Sequence, residues 1–191
     1  NELRAGFEYN YYTIRRYFVN APSVSLGLHN REIDPENTLT DYDIFRNNYG
    51  YYGYDMWGNE INSDGTYEVT NNQGDRVTIN GHDAPRHPVR SAFYLQDKIE
   101  LKDMVLNAGL RFDYFRTGVE SWKDPANLYI NSTNLIDDSS LGEEKVYSIV
   151  SPRLGWSFPV TDRTVFHAQF GKFVQMPAVD DMYDGHTHVG R

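Results

Sequence analysis

Two hairpins recur in the second half of the chain, each closing tightly at one end and opening into a long polar stretch at the other. Ser91–Leu101 reads as a strand, Lys102–Asp103 as a tight turn and Met104–Arg116 as the returning strand. The pattern then repeats, with Tyr147–Val160 as a strand, Thr161–Arg163 as a turn and Thr164–Val174 as a strand. These runs are longer than the roughly five or six residues usual in globular sheets. Long strands with short turns on one side and long loops on the other are what the wall of a transmembrane β-barrel requires.

The strands alternate with period two. Leu3, Ala5, Phe7, Tyr9 and Tyr11 share one face of Glu2–Tyr12, and Glu2, Arg4, Gly6, Glu8 and Asn10 share the other. Met104, Leu106, Ala108, Leu110, Phe112 and Tyr114 oppose Asn107, Gly109, Arg111 and Asp113. Val150, Pro152, Leu154, Trp156, Phe158 and Val160 oppose Ser151, Arg153, Gly155 and Ser157, and Phe166, Ala168 and Phe170 oppose His167 and Gln169. Such alternation fits a sheet between hydrocarbon and a polar interior, and equally any antiparallel sheet with one wet face. Aromatics gather near the strand ends, at Tyr9, Tyr11, Tyr12, Tyr17, Phe18, Phe112, Tyr114, Phe115, Phe158 and Phe173, as in an interfacial girdle. Asp97 breaks the pattern by falling on the apolar face with Phe93, Leu95, Ile99 and Leu101. Either the register shifts there or Asp97 meets a partner on a neighbouring strand.

A mean hydropathy of −0.65 looks soluble, and no run of eighteen apolar residues exists to form a membrane helix. Barrel strands need only about ten alternating residues each, so a membrane is not excluded. The net charge of −9 argues against a nucleic-acid partner. Much of the acidity is local: residues 20–88 hold eleven Asp/Glu against four Arg and no Lys, a charge of −7. With the tight turns facing the periplasm, 20–88 and 117–145 are extracellular loops. The five wall strands are an odd number, whereas single-chain bacterial barrels have even counts. The chain starts inside a strand pattern and stops in a polar stretch, so 1–191 is expected to be part of a larger barrel.

Within the first loop, Thr66–Thr70 and Arg76–Asn80 around Asn71–Asp75 read as a small hairpin. Before it lies an aromatic block, from which Tyr49, Tyr51, Tyr52, Tyr54 and Trp57, together with Trp122 of the second loop, are candidate ligand-binding residues. Tyr and Trp offer large contact area at low entropic cost and stack on sugars or planar ligands. The plainer alternative is that these rings pack a core belonging to the loop itself. His82-Asp83 with His87, and His186 with His188, carry metal-ligand chemistry, but loop histidines beside Pro85 and Pro88 need no metal. Glu60-x-Asn62-x-Asp64-Gly65 echoes a calcium loop yet lacks the bidentate Glu at its twelfth position, which is Asn71. There is no cysteine, Gly-x-Ser-x-Gly, His-Glu-x-x-His or phosphate loop, and acidic pairs such as Asp137-Asp138 sit in loops. No catalytic residue, cofactor or metal is assigned.

Tyr94-Leu95-Gln96-Asp97 followed by Gly109-Leu110-Arg111-Phe112-Asp113 resembles the wall of TonB-dependent outer-membrane receptors. Ser151-Pro152-Arg153-Leu154-Gly155 and the Gln175-Met176-Pro177 exit resemble the Bacteroidota-like branch of that family. The resemblance covers Ser91–Pro177 and, more loosely, Glu2–Phe18. It implies an all-β, antiparallel barrel of 22 strands in a Gram-negative outer membrane. It also implies a plug domain, absent from this stretch, through which TonB delivers energy, and import of a scarce nutrient without chemical change. Arg111, Asp113, Arg153, His167 and Gln169 would then face the lumen and hold the plug; otherwise they pair across the wall. An alternative from another class is a secreted or surface β-sandwich that binds glycans through Tyr and Trp, its two apolar faces packed together.

Overall fold

The computed structural model describes residues 1–18, 40–47, 51–71, 73–130, 136–175, 178, 182 and 183. Its elements are β1 (Glu2–Tyr11), α1 (Asp41–Asn47), β2 (Thr66–Thr70), β3 (Arg76–Asn80), β4 (Val89–Leu101), β5 (Met104–Trp122), β6 (Leu141–Thr161) and β7 (Thr164–Gly171), with a 3-10 turn at Asp138–Ser140. They fall into two compact units. The first comprises Asn1–Tyr11, Pro88–Thr117 and Lys145–Pro177, and the second Tyr12–His87, Gly118–Glu144 and Ala178–Arg191.

The first unit is a wall. Its strands run in the order β1-β4-β5-β6-β7, and each register given is antiparallel. Directly opposed residues share a face, so the register lines side chains up in rows across the strands. Phe7, Phe93 and Phe112 form one such row; Ala5, Leu95 and Leu110 form the next; Leu154 with Phe170 and Phe158 with Phe166 continue the face on β6 and β7. This face is uncovered: Phe7 is 71%, Leu110 53% and Phe170 72% exposed. A β-sandwich would need these side chains packed under a second sheet. Contiguous exposed apolar surface of this kind belongs against lipid or a partner. The sheet is thus an open segment of antiparallel β-barrel wall.

The opposite face is polar. Arg111 bonds Asp113 through Nε at 2.9 Å and reaches Glu8 through Nη2 at 3.4 Å. Glu8 and Asp113 flank the small, buried Ala92 of β4 in one row, which leaves room for a contact across two strands. Arg111, Asp113 and Glu8 therefore do pair within the wall. Arg153 lies over the Phe173 ring at 5.1 Å, while His167 stands opposite Ser157 and Gln169 opposite Gly155.

The strand bounds differ from the sequence reading in an instructive way. β5 continues to Trp122 and β6 begins at Leu141, so the second loop is shorter than 117–145. Lys123 N bonds Ser140 O at 3.0 Å, and the Ser121 hydroxyl donates to Glu143 O at 2.9 Å. Polar residues on both faces of these extensions, such as Glu120, Ser121, Glu143 and Lys145, erase the period-two signal on which a strand is recognised. β7 instead stops at Gly171, short of Val174, and Met176 and Pro177 lie outside the described residues.

Asp97 keeps its place on the apolar face. The register from Glu2↔Lys98 to Tyr11↔Val89 is unbroken, and Asp97 stands between Leu3 and Ala108. Its Oδ1 is shielded from water and has no hydrogen-bond partner. At about 3.4 Å per residue and a tilt near 45°, Asp97 lies roughly 10 Å inward from Leu101, within the apolar band. Replacing it with Leu is expected to stabilise the folded barrel by about 1 kcal/mol, since a carboxylate on the lipid face is unfavourable. Urea unfolding of the receptor in vesicles measures this; a lower midpoint for Asp97→Leu would reveal a stabilising partner.

Candidate functional site

The second unit carries the aromatic block, and most of that block is core. Tyr42, Ile44, Phe45, Tyr51, Met56, Val69 and Ile79 form one buried cluster, with Tyr17, Tyr67 and Val77 packed against it. Two elements supply five of its seven buried members, and the stretch that follows α1 supplies Tyr51 and Met56. One is the β2–β3 hairpin, paired from Thr66↔Asn80 to Thr70↔Arg76 as the alternation predicts. The other is α1, a helix inside the stretch 20–88 expected to be loop. A capping box starts this helix: Thr40 Oγ1 accepts from Asp43 N at 3.1 Å, and Asp43 Oδ2 accepts from Thr40 N at 3.2 Å. Seven residues are too few to hold a helix alone, so burial of Tyr42, Ile44 and Phe45 holds it.

A buried carboxylate joins the hairpin to the rest. Asp83 has no exposed surface; its Oδ1 accepts from Gly65 N at 2.8 Å and its Oδ2 from the Tyr67 hydroxyl. Its carbonyl accepts from Gly53 N at 2.6 Å. A side chain at Gly81 would collide with the Asp83 carboxylate, which explains glycine there. Burial, reinforced by Asp83, pushes the Tyr67 phenol well above its ordinary value, so it remains a donor. Nearby, the buried Arg86 donates to His82 O at 2.5 Å and lies over the Tyr52 ring at 5.4 Å; Tyr183 meets that ring edge-on at 5.6 Å. Burial lowers the Arg86 pKa, and the neighbouring Asp64 acts in the opposite sense.

The exposed part of the block is a tight turn at 55–59. Asp55 Oδ1 accepts from Trp57 N at 2.9 Å and Asn59 N at 2.8 Å, while Asp55 Oδ2 accepts from Asn59 Nδ2 at 2.9 Å. Gly58 adopts φ +88°, with the Tyr17 ring lying over the space a side chain would enter. The turn presents Trp57, 38% exposed, at a fixed place. Tyr54 is half-buried and touches Tyr17, with ring centroids 5.7 Å apart.

The six candidate ligand residues therefore separate. Tyr51 is fully buried and Tyr52 nearly so, at 0% and 2% exposure, so both are core rather than contact surface. Trp57 and Tyr54 remain accessible, Trp122 is half-buried at the end of β5, and Tyr49 lies outside the described residues. Asp55 and Arg15 were not singled out from sequence, and Tyr17, expected in the interfacial girdle, packs instead against the buried cluster of the second unit. Arg15 Nη2 donates to Asn62 Oδ1 at 2.6 Å and pairs with Glu60 at 3.2 Å, which engages two members of the calcium-like run; the third, Asp64, accepts from Ala84 N at 2.8 Å. The histidines are dispersed as well. His82 Nε2 lies 3.0 Å from Asp138 Oδ1, joining the two loops, and His87 Nδ1 lies 3.3 Å from Thr13 Oγ1. Neither converges with Asp83, and His186 and His188 lie outside the described residues. Asp137 caps the 3-10 turn by accepting from Ser139 N at 2.9 Å; hydrogen bonds from Ser139 lower its pKa.

A family model described as "TonB dependent receptor-like, beta-barrel" matches residues 1–190. No curated protein and no solved structure matches the chain.

Removing the Tyr67 hydroxyl takes a donor from a carboxylate that water does not reach, which costs about 1–3 kcal/mol. Tyr67→Phe is expected to speed hydrogen exchange at the Gly65 amide by roughly tenfold or more. The raised phenol pKa sets the sign of the pH dependence. The Tyr67 contribution is complete below about pH 10 and fades only as pH rises beyond it. Exchange measured from pH 7 to pH 9 is accordingly expected to show the same difference between the two proteins.

Proposed function

The chain belongs to the TonB-dependent receptor β-barrel family, and from that premise we propose that it is a wall-and-loop segment of a Gram-negative outer-membrane receptor. The parent receptor captures a scarce nutrient at its outer loops and imports it unchanged, using energy relayed by TonB through a plug domain. The observation that carries this reading is the uncovered apolar face of a sheet whose hairpins close in short turns at Lys102–Asp103 and Asp162–Arg163. Lipid covers that face, and the polar face with Arg111, Asp113, Arg153, His167 and Gln169 lines the lumen and receives the plug.

In this reading the second unit is the extracellular part. It has a packed core, as a recognition surface needs if its contact residues are to be held in place before the ligand arrives. Trp57 on its Asp55-braced turn is the leading contact, with Tyr54 and Trp122 as further aromatic surface. The buried Tyr51 and Tyr52 hold the platform.

Cysteines introduced at Trp57 and Ser139 are expected to react with an impermeant reagent on intact cells, and a cysteine at Lys102 is not. Labelling of Lys102→Cys alone would invert the topology and remove the loops from the cell surface. Trp57→Ala is expected to weaken ligand capture by about tenfold while leaving barrel stability unchanged, as for truncation of an aromatic hot spot. Uptake by intact cells at limiting nutrient concentration, beside heat-modifiability of the purified protein, tests both parts.

A further inference from the structure

The turn that carries Trp57 is the tip of a small hairpin of its own. Ile61 N donates to Gly53 O at 3.1 Å and Asp55 N to Asn59 O at 2.8 Å, with Tyr54 bridged antiparallel to Glu60 between them. So few bonds do not hold two arms together in water. Asp55 shapes the tip by accepting from Trp57 N and Asn59 N, but those bonds do not decide where the tip stands.

The support comes from the segment that follows β1. Ile14 and Arg16 form backbone bridges to Arg86 and Tyr52, which lays this segment beside the outgoing arm. Arg15 and Tyr17 are two residues apart in extended chain and so share a face. Arg15 lies at the base of the hairpin. A side chain at Gly53 would enter the space that its methylenes fill, while its Nη2 donates to Asn62 Oδ1 at 2.6 Å and pairs with Glu60 at 3.2 Å. The stem thus rests on the outgoing arm, and the head grips two residues of the returning arm. Tyr17 lies at the other end of the same face, against Gly58 and Tyr54.

We propose that Arg15 is the positioning residue for Trp57: one side chain ties both arms of the turn and fixes the indole before a ligand arrives. This rests on the reading of Trp57 as a ligand contact. With Glu60 60% exposed, the ion pair by itself contributes little. The planar guanidinium matters more, because it serves Asn62 and Glu60 at once. A lysine keeps the stem and the charge but not that fork. Holding a contact residue in place lowers the ordering cost of binding, so the loss falls on capture rather than on the stability of the unit.

The test uses the full-length receptor, purified in detergent without ligand, with hydrogen exchange read by mass spectrometry. Arg15→Ala is expected to speed exchange across 53–62 about fivefold, with Arg15→Lys between it and the wild type and 66–80 unchanged. Growth of a strain that depends on the receptor for its limiting nutrient reads the consequence. Arg15→Ala is expected to slow that growth, and the double variant with Trp57→Ala to grow no worse than Trp57→Ala alone. Unchanged exchange in 53–62 overturns the inference. So do growth losses that add in the double variant, since Arg15 would then act apart from Trp57. Faster exchange in 66–80 as well overturns it in favour of a general structural role. Normal growth of Trp57→Ala, beside faster exchange in Arg15→Ala, instead removes Trp57 from capture and leaves the bracing of the turn established.

Discussion

Inside a bilayer no water satisfies backbone amides and carbonyls, so each strand of the wall depends on its neighbours for its hydrogen bonds. The register that provides those bonds also decides which side chains meet lipid. From Glu2↔Lys98 to Tyr11↔Val89 and from Val89↔Arg116 to Leu101↔Met104 the pairing is continuous. A slip of one residue would turn Glu8, Arg111 and Asp113 toward hydrocarbon and Phe7, Phe93 and Phe112 toward the polar side. Backbone pairing and face selection are thus one constraint. It accounts for strands far longer than globular sheets need.

The second unit obeys the opposite rule. Its apolar residues turn inward, and its polar groups are satisfied locally. Asp83 shows how closely the two requirements interlock, for one carboxylate receives the Gly65 amide and the Tyr67 hydroxyl while the same residue's carbonyl holds Gly53. Tyr67 in turn packs against Phe45 of α1, ring centroids 5.4 Å apart. Hairpin, helix and the chain leading to the Trp57 turn are thereby joined through a single buried acid. Tyrosine serves both units for different reasons: at Tyr9 and Tyr11 its ring and hydroxyl suit an interface, and at Tyr67 its hydroxyl satisfies a group in a dry core.

That dual use limits what sequence reading could recover. The wall was legible because period two appears only where the two faces see different media, which holds for Leu3–Tyr11 and Met104–Tyr114. It fails for 117–122 and 141–146, where both faces are polar. α1 was missed because seven residues carry too little period; its one local signal, Thr40-x-x-Asp43, emerged only with the fold. In the aromatic block, composition showed that rings would gather, yet the same pattern serves a platform and a core. Packing buried Tyr51 and Tyr52 and left Trp57 outside. The turn that does so depends on Asp55, one of eleven acids in a stretch that otherwise reads as a solvated acidic loop.

Because the two units hide their apolar side chains in different places, the same substitution has different consequences in each. Phe45 is enclosed by protein, so shortening it leaves a cavity that neighbours fill only in part, typically at a cost of about 3–5 kcal/mol. Phe7 or Phe170 faces lipid, and acyl chains flow into whatever space is vacated, so only transfer and packing differences remain. Polarity reverses this order. A carboxylate is accommodated at Asp83 by two donors, the Gly65 amide and the Tyr67 hydroxyl, whereas at Asp97 the surrounding rows offer Leu3 and Ala108. What each position tolerates therefore follows from its surroundings, protein or acyl chain, more than from the strand or loop that carries it.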